Sequence, residues 1–297
     1  MNRSTSVSAE SSLGRKTAWT ASPLQKLSAK GDSFAVTVQC ASSTIYANSL
    51  GKGLFMTTVL ITGANRGVGL ALVKEYATGG DQVIATCREP AKADALNSFA
   101  MASNGRVRIL PLEIADEVSI ASLKRVLADE PIDIIINNAA INGTPKEQTY
   151  LRIDGENYIH AVRVNALGPM LLSQALFANL RRGTAKRLVA ITSSYGSIGR
   201  DWDRTVTAHE RYAYRASKAA LNMGMRSLSR DWAEFGVIVG IIEPGWVRTD
   251  MGGKSALETA TSISAEESAR GMKDCISKLT PETSGIFQRF WGEVLPW

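Results

Sequence analysis

The chain has 297 residues, 34 Lys plus Arg against 28 Asp plus Glu, 44% hydrophobic residues and 3 Cys. This is the balance of an ordinary soluble globular protein, and it excludes collagen, disulfide scaffolds and bulk disorder. Cys40, Cys87 and Cys275 are odd in number and far apart, so neither a disulfide framework nor a zinc cluster is expected, and no metal site is assigned. No uncharged apolar run approaches the roughly 20 residues that cross a bilayer.

Residues 1–55 differ from the rest. They hold 11 Ser and 5 Thr, with six basic residues against the two acids Glu10 and Asp32, which leaves 28 basic and 26 acidic residues to 56–297. Most of the basic balance therefore sits in this extension. A Ser-rich, acid-poor leader with scattered Arg and Lys reads as an organellar transit peptide, plastid before mitochondrion, with Val38 to Ala41 like a processing site. The other readings are an unstructured tail, or a true start at Met56, directly before the first strand, and in either case a cytoplasmic protein. The positive residues are dispersed and lack aromatic interleaving, so no nucleic-acid partner is expected.

From Thr57 the pattern alternates. Thr57 to Ile61 is an apolar strand and Val68 to Tyr76 has helical spacing; Gln82 to Cys87 is a second strand, followed by a helix over Ala91 to Met101. A third strand, Val107 to Leu112, a helix over Val118 to Leu127 and a buried strand, Ile132 to Ile136, come next. One long helical segment then runs from about Gly155 to Leu180. The strand Arg187 to Ile191, the helix Tyr212 to Phe235 and the strand Val237 to Ile242 follow. Asp250 to Ile263 is rich in Gly, Ser and Thr without a strong period and reads as a mobile lid. Ser264 and Glu267 form a capping box that opens a helix over Ala265 to Leu279, and Ile286 to Phe290 is the last strand. Seven short strands separated by helices make right-handed βαβ units and a parallel sheet covered on both faces. The fold class is α/β: one doubly wound domain over 56–297, with ligands expected beyond the carboxyl ends of the strands.

Several groups of residues carry chemistry. The turn Thr62, Gly63, Ala64, Asn65, Arg66, Gly67, Val68, Gly69 lets the backbone approach a pyrophosphate at a helix N-terminus, which presents unpaired N–H groups and partial positive charge. The second strand ends in Arg88 where NAD would want a carboxylate, and with Arg66 nearby the pair favours the 2'-phosphate of NADPH over NAD. Tyr214 and Lys218 stand at i,i+4 on one helix face, where an ammonium can stabilise a phenolate and lower its pKa. Ser193 and Ser194, beyond the fifth strand, each offer a hydroxyl that can donate to a carbonyl oxygen gaining charge. Pro169 has no N–H and so frees the carbonyl of Asn165, which can then hold a water. His209, in the stretch between Ser193 and Tyr214, could shuttle protons, although a solvated loop histidine is the plainer reading.

The spacing TGxxxGxG, the form YxASK over Tyr214 to Lys218 and the S-x-x-G frame of Ser193 and Gly196 resemble the short-chain dehydrogenase/reductase family, over residues 57–297. The resemblance implies a Rossmann domain and hydride transfer between nicotinamide and a small-molecule carbonyl or alcohol. Ser193, Tyr214, Lys218 and Asn165 would be its catalytic tetrad, Lys218 also holding the cofactor ribose. It places Glu113 and Ile114 beside the adenine, and Asn138, Ala139 and Ala140 along the cofactor cleft, where Ala140 replaces a glycine and must avoid positive φ. Pro244, Gly245, Val247 and Thr249 would meet the nicotinamide half. Segments such as NALGPM and the stretch ending in Pro296 and Trp297 look most like the C-factor branch, which includes small carbonyl reductases. That branch leaves open a cofactor-binding signalling protein with little turnover. A homodimer or homotetramer is the implied assembly.

Overall fold

The computed structural model describes residues 56–143, 151–200 and 211–297. The proposed leader and His209 lie outside them. Seven strands form one parallel sheet in the order β3-β2-β1-β4-β5-β6-β7. They are β1 Thr58–Thr62, β2 Gln82–Cys87, β3 Val107–Pro111, β4 Ile134–Asn137, β5 Arg187–Ile191, β6 Ile238–Glu243 and β7 Ile286–Arg289. The expected doubly wound Rossmann architecture is thus present. Order reverses between β1 and β4, and the crevice at that reversal, outside the carboxyl ends of the strands, is where such sheets bind ligands.

Alternation along each strand divides the core into two layers. On one face Val59 and Ile61 pack with Leu72 and Tyr76 of α1 (Gly67–Thr78), Leu96 of α2 (Asp94–Ala102) and Met272 and Ile276 of α9 (Ala265–Ser277). On the other, Leu60 and Ile135 pack with Leu123 and Leu127 of α3 (Glu117–Leu127), Leu172 of α5 (Gly168–Ala175), Leu180 of α6 (Phe177–Arg182) and Leu221 and Met225 of α7 (Tyr212–Asp231). Leu60, Ile61, Ile135 and Ile136 are wholly buried, and each such side chain contributes roughly 1.5–3 kcal/mol. This rigid slab fixes where the loops at its carboxyl edge stand.

Two segments differ from the sequence reading. The long helix expected over Gly155 to Leu180 is divided into α4 (Gly155–Val162), a π-helical turn over Arg163–Leu167, α5 and α6. Pro169 is the physical reason: it cannot donate into the helix, and the chain widens by one residue just before it, with Gly168 N–H bonding Arg163 O. The lid contains a short helix, α8 (Gly253–Glu258), and its base is fastened by a parallel bridge between Val247 and Ile263. At the start of α9, Ser264 Oγ accepts from Glu267 N–H at 3.0 Å. Among the described residues no helix is long and apolar enough to cross a membrane, and no cluster of His, Cys, Asp or Glu could hold a metal.

Candidate active site

The turn after β1 is built to leave room. Gly63 has φ +64°, and a Cβ there would stand 2.8 Å from Ala139 Cα. A Cβ on Gly69 would meet Gly63 O at 2.1 Å and Asn138 Nδ2 at 2.6 Å. Only glycine lets α1 begin this close to the turn. Thr62, wholly buried, braces the same turn through its hydroxyl, which accepts from Asn138 N–H at 3.0 Å and Ala139 N–H at 2.9 Å. Asn138 Nδ2 returns bonds to Thr62 O at 2.8 Å and Gly63 O at 3.2 Å. Ala140 is not among the residues with positive φ, as its Cβ requires. The N-terminus of α1 has neither a side-chain cap nor an acid in its first turn, so its N–H groups remain available to an anion. A cradle without side chains at an uncapped helix N-terminus fits the pyrophosphate of a dinucleotide.

Around this cradle the charged residues are partly paired. Arg88 Nε lies 3.9 Å from Glu113 Oε2, with the Arg88 side chain 72% exposed. Glu113 also accepts from Ala115 N–H through Oε1 at 3.2 Å, and Ile114 is buried in the core layer under α3 and α5. Arg66 reaches across to Asp250, Nη1 to Oδ2 at 2.5 Å, which joins the glycine turn to the base of the lid. Asn65 and Val68 lie in the same turn, at an exposed and a half-buried position.

The second cluster stands beyond β5. Ser193 caps a 3-10 turn over Ser194–Gly196, its Oγ accepting from Tyr195 N–H at 3.2 Å. Tyr214 and Lys218 are one turn apart on α7 and both are buried. Burial pushes the Tyr214 phenol up to about 12, while a hydrogen bond with Ser193 and the charge of Arg211 pull it back; Glu243 and Tyr195 push it further up. Burial lowers Lys218 to about 8; the phenol stands above its ordinary value, so the lowering expected from the ammonium one turn away is overturned, because burial of the phenol outweighs it. Lys218 Nζ donates to Ile191 O at 2.9 Å and lies 5.8 Å from the Tyr214 ring centroid.

Asn165 sits in the π-helical turn, wholly buried. Its Oδ1 accepts from Ile141 N–H at 2.8 Å, and its Nδ2 donates to Ile141 O and to Ser217 Oγ, both at 2.9 Å. The side chain therefore ties the loop after β4 to α7, between Tyr214 and Lys218. The sequence reading concerned only its backbone carbonyl. Three further residues escaped that reading. Thr62 counted there only as motif spacing. Tyr195 packs edge-on against Tyr214 with ring centroids 6.3 Å apart, and Arg211 lies 5.6 Å over the Tyr195 ring. No spacing rule marks Tyr195 or Arg211, because they meet only when the 3-10 turn after β5 is brought against the start of α7.

After β6, Pro244 leads to Gly245 at φ +86°, where a Cβ would meet Phe290 Cε1 at 2.8 Å. Val247 is buried, and Thr249 Oγ1 accepts from Gly252 N–H at 3.3 Å. Thr249 Cγ2 comes within 3.3 Å of a Cβ built on Gly67, so the turn after β6 faces the glycine turn across the crevice. Glu243, buried at the end of β6, is held above the usual carboxylate range by burial, against the pull of Arg289.

A glycine cradle, a buried Tyr and Lys pair and a serine beyond one parallel sheet define a nucleotide-dependent oxidoreductase, and the pattern of the short chain dehydrogenase family matches residues 57–260. The chain belongs to that family and is an NAD(P)-dependent oxidoreductase. It is 38% identical over 170 residues to C-signal of Myxococcus xanthus, covering 56% of this chain and 93% of that protein. Among solved structures it is similar to the NADPH-bound carbonyl reductase from chicken fatty liver, at 33% identity and TM-score 0.73, covering 82% of this chain and 99% of that one. It is also similar to the carbonyl reductase Sniffer of D. melanogaster, at 29% identity and TM-score 0.71, covering 82% and 100%.

Proposed function

We propose that this protein is an NADPH-dependent carbonyl reductase acting on small-molecule carbonyl compounds, with the reverse alcohol oxidation available to the same residues. The observation that carries the reading is the buried phenol of Tyr214, near Ser193 and one turn from Lys218, on the crevice that also holds the glycine cradle. Bound NADPH supplies a hydride for the carbonyl carbon. Ser193 Oγ donates to the carbonyl oxygen and orients it as negative charge develops there. Tyr214 Oη transfers its proton to that oxygen; with a pKa near 12 the phenol holds the proton at neutral pH until the oxygen becomes basic enough to take it. Lys218 Nζ, anchored on Ile191 O, binds the ribose with its remaining hydrogens. Asn165 keeps the loop after β4 and α7 in register.

Gly63, Gly67 and Gly69 with the first N–H groups of α1 hold the pyrophosphate, Asn138 and Thr62 fix their geometry, and Pro244 to Thr249 border the nicotinamide. Arg88, beside the end of β2, and Arg66 receive the 2'-phosphate. A C-signal-like relative also suits a cofactor-binding signalling role, but a complete Ser, Tyr, Lys and Asn set is superfluous for binding alone. The family likeness further supports a homodimer or homotetramer, which sedimentation velocity reads directly.

The test combines turnover with cofactor titration. The protein is expected to reduce members of an aldehyde and ketone panel with NADPH. In a fluorescence titration NADPH should bind about 10- to 100-fold more tightly than NADH, the worth of one charge-assisted phosphate contact. Arg88→Ala should erase most of that gap. Equal affinities in the parent protein would refute the Arg88 assignment, and a silent panel would refute the reductase reading.

A further inference from the structure

The segment after β7 turns back on the sheet. Arg289 N–H bonds Glu293 O at 2.8 Å, Gln288 and Val294 form an antiparallel bridge, and Leu295 N–H bonds Phe287 O at 2.9 Å. The buried Leu295 joins the core layer that contains Leu221 and Met225 of α7. This hairpin delivers Pro296 and Trp297 to the loop that follows Ser193. Ser197 Oγ donates to Pro296 O at 2.7 Å, and Gly199 N–H donates to Trp297 O. The Trp297 ring is itself held, 5.4 Å from the Phe287 ring and 5.6 Å from the Arg226 guanidinium.

The same loop is clamped from within. A Cβ on Gly196 would stand 2.8 Å from the backbone carbon of Lys218, so the 3-10 turn lies directly on α7. Ser197 is buried, and its Oγ also accepts from Arg200 N–H at 3.1 Å. The loop that carries Ser193 and Tyr195 is therefore held to α7 at Gly196 and to Pro296 and Trp297 at Ser197 and Gly199. A displacement of about 1 Å at such a remove can cost on the order of 100-fold in rate.

We propose that residues 295–297 form a positioning strap for the Ser193–Arg200 loop, so that Pro296 and Trp297 set the fit of the carbonyl substrate without touching the reacting atoms. The inference rests on the reductase reading. It assigns a role in substrate selection to a stretch that shares no residue with the cofactor cradle.

The test uses the full chain with Trp297→Ala, Trp297→Phe and Ser197→Ala. Amide exchange at residues 195–200 should quicken about five- to tenfold in both Ser197→Ala, which loses the two bonds of its Oγ, and Trp297→Ala, which loses the ring contacts with Phe287 and Arg226 that hold its backbone carbonyl against Gly199 N–H. The ratio of kcat/KM between a small aldehyde and a bulky aryl ketone should move by about fivefold or more, while the NADPH Kd stays within about twofold. Trp297→Phe should keep the parent ratio. A purely structural role would lower Tm and leave the ratio in place, and that result would overturn the proposal. Unchanged exchange at 195–200 would overturn it too. If Trp297→Ala does not fold, Ser197→Ala carries the same two readouts. If the parent reduces no carbonyl at all, the reductase reading falls, and the exchange measurement alone decides whether the strap holds the loop.

Discussion

Tyr214 and Lys218 stand one turn apart in the same buried layer, and burial moves them in opposite directions because it penalises whichever form is charged. The phenol keeps its proton, and the ammonium is lowered to about 8. For Lys218 the folded pKa lies below the unfolded value of 10.5. The folded state therefore carries the cost of a buried ammonium in full below about pH 8, and the cost is relieved as pH rises from there toward 10.5. Removing the charge should remove a penalty of roughly 3 kcal/mol, offset by about 1 kcal/mol for the lost bond to Ile191 O. Lys218→Met is thus expected to melt at or a few degrees above the parent at pH 7, an advantage that shrinks by about pH 10, while reduction is lost. Calorimetry at the two pH values checks this; a variant that melts well below the parent at pH 7 would show that the ammonium stabilises the fold. At this scale the pair itself was legible, because i,i+4 spacing on a helix needs no tertiary knowledge. Arg211 and Tyr195 were not, since their approach to Tyr214 depends on how the turn after β5 meets α7.

Between β4 and β5 a proline at position 169 converts what periodicity reads as one helix into α4, a π-helical turn and α5. Hydrophobic spacing is nearly the same in both, so the sequence shows the apolar face and conceals the widening. The widening places the Asn165 side chain between Ile141 and Ser217. Asn165→Ala would leave buried partners without bonds, at a cost of roughly 2–4 kcal/mol. A domain of this size should then melt roughly 5–15 °C lower, and amides after β4 should exchange faster. A thermal scan with hydrogen exchange reads both; an unchanged melting temperature would mean that water replaces the amide without loss. The lid shows the converse. Its Gly, Ser and Thr content hid α8, whose shape depends on Ser262 Oγ bonding Ala256 O at 2.5 Å rather than on any apolar period.

Across the whole chain, alternation of strand and helix was enough to announce a doubly wound sheet, because right-handed crossovers leave few other arrangements. The return of residues 293–297 onto the Ser193 loop was not legible, since a five-residue segment carries no period. Among the described residues the seven strands, including the central β1, all pair within 58–289, and none of these pairings involves residues 1–55. Deleting those residues is expected to leave Tm and turnover near the parent values. A fall of many degrees would show that the leader packs on the core. Fusion of residues 1–55 to a fluorescent reporter tests targeting separately, with organellar signal expected and diffuse cytosolic signal counting against import.

The role of Tyr214 as proton donor is tested most directly by single-turnover reduction with saturating NADPH, comparing the parent with Tyr214→Phe. The substitution keeps the ring that packs against Tyr195 and removes only the hydroxyl, so Tm and NADPH affinity should survive. Reduction should slow by about 100- to 10,000-fold, the usual worth of a positioned general acid. A Tyr214→Phe protein that reduces the same carbonyl within about threefold of the parent rate would contradict the mechanism.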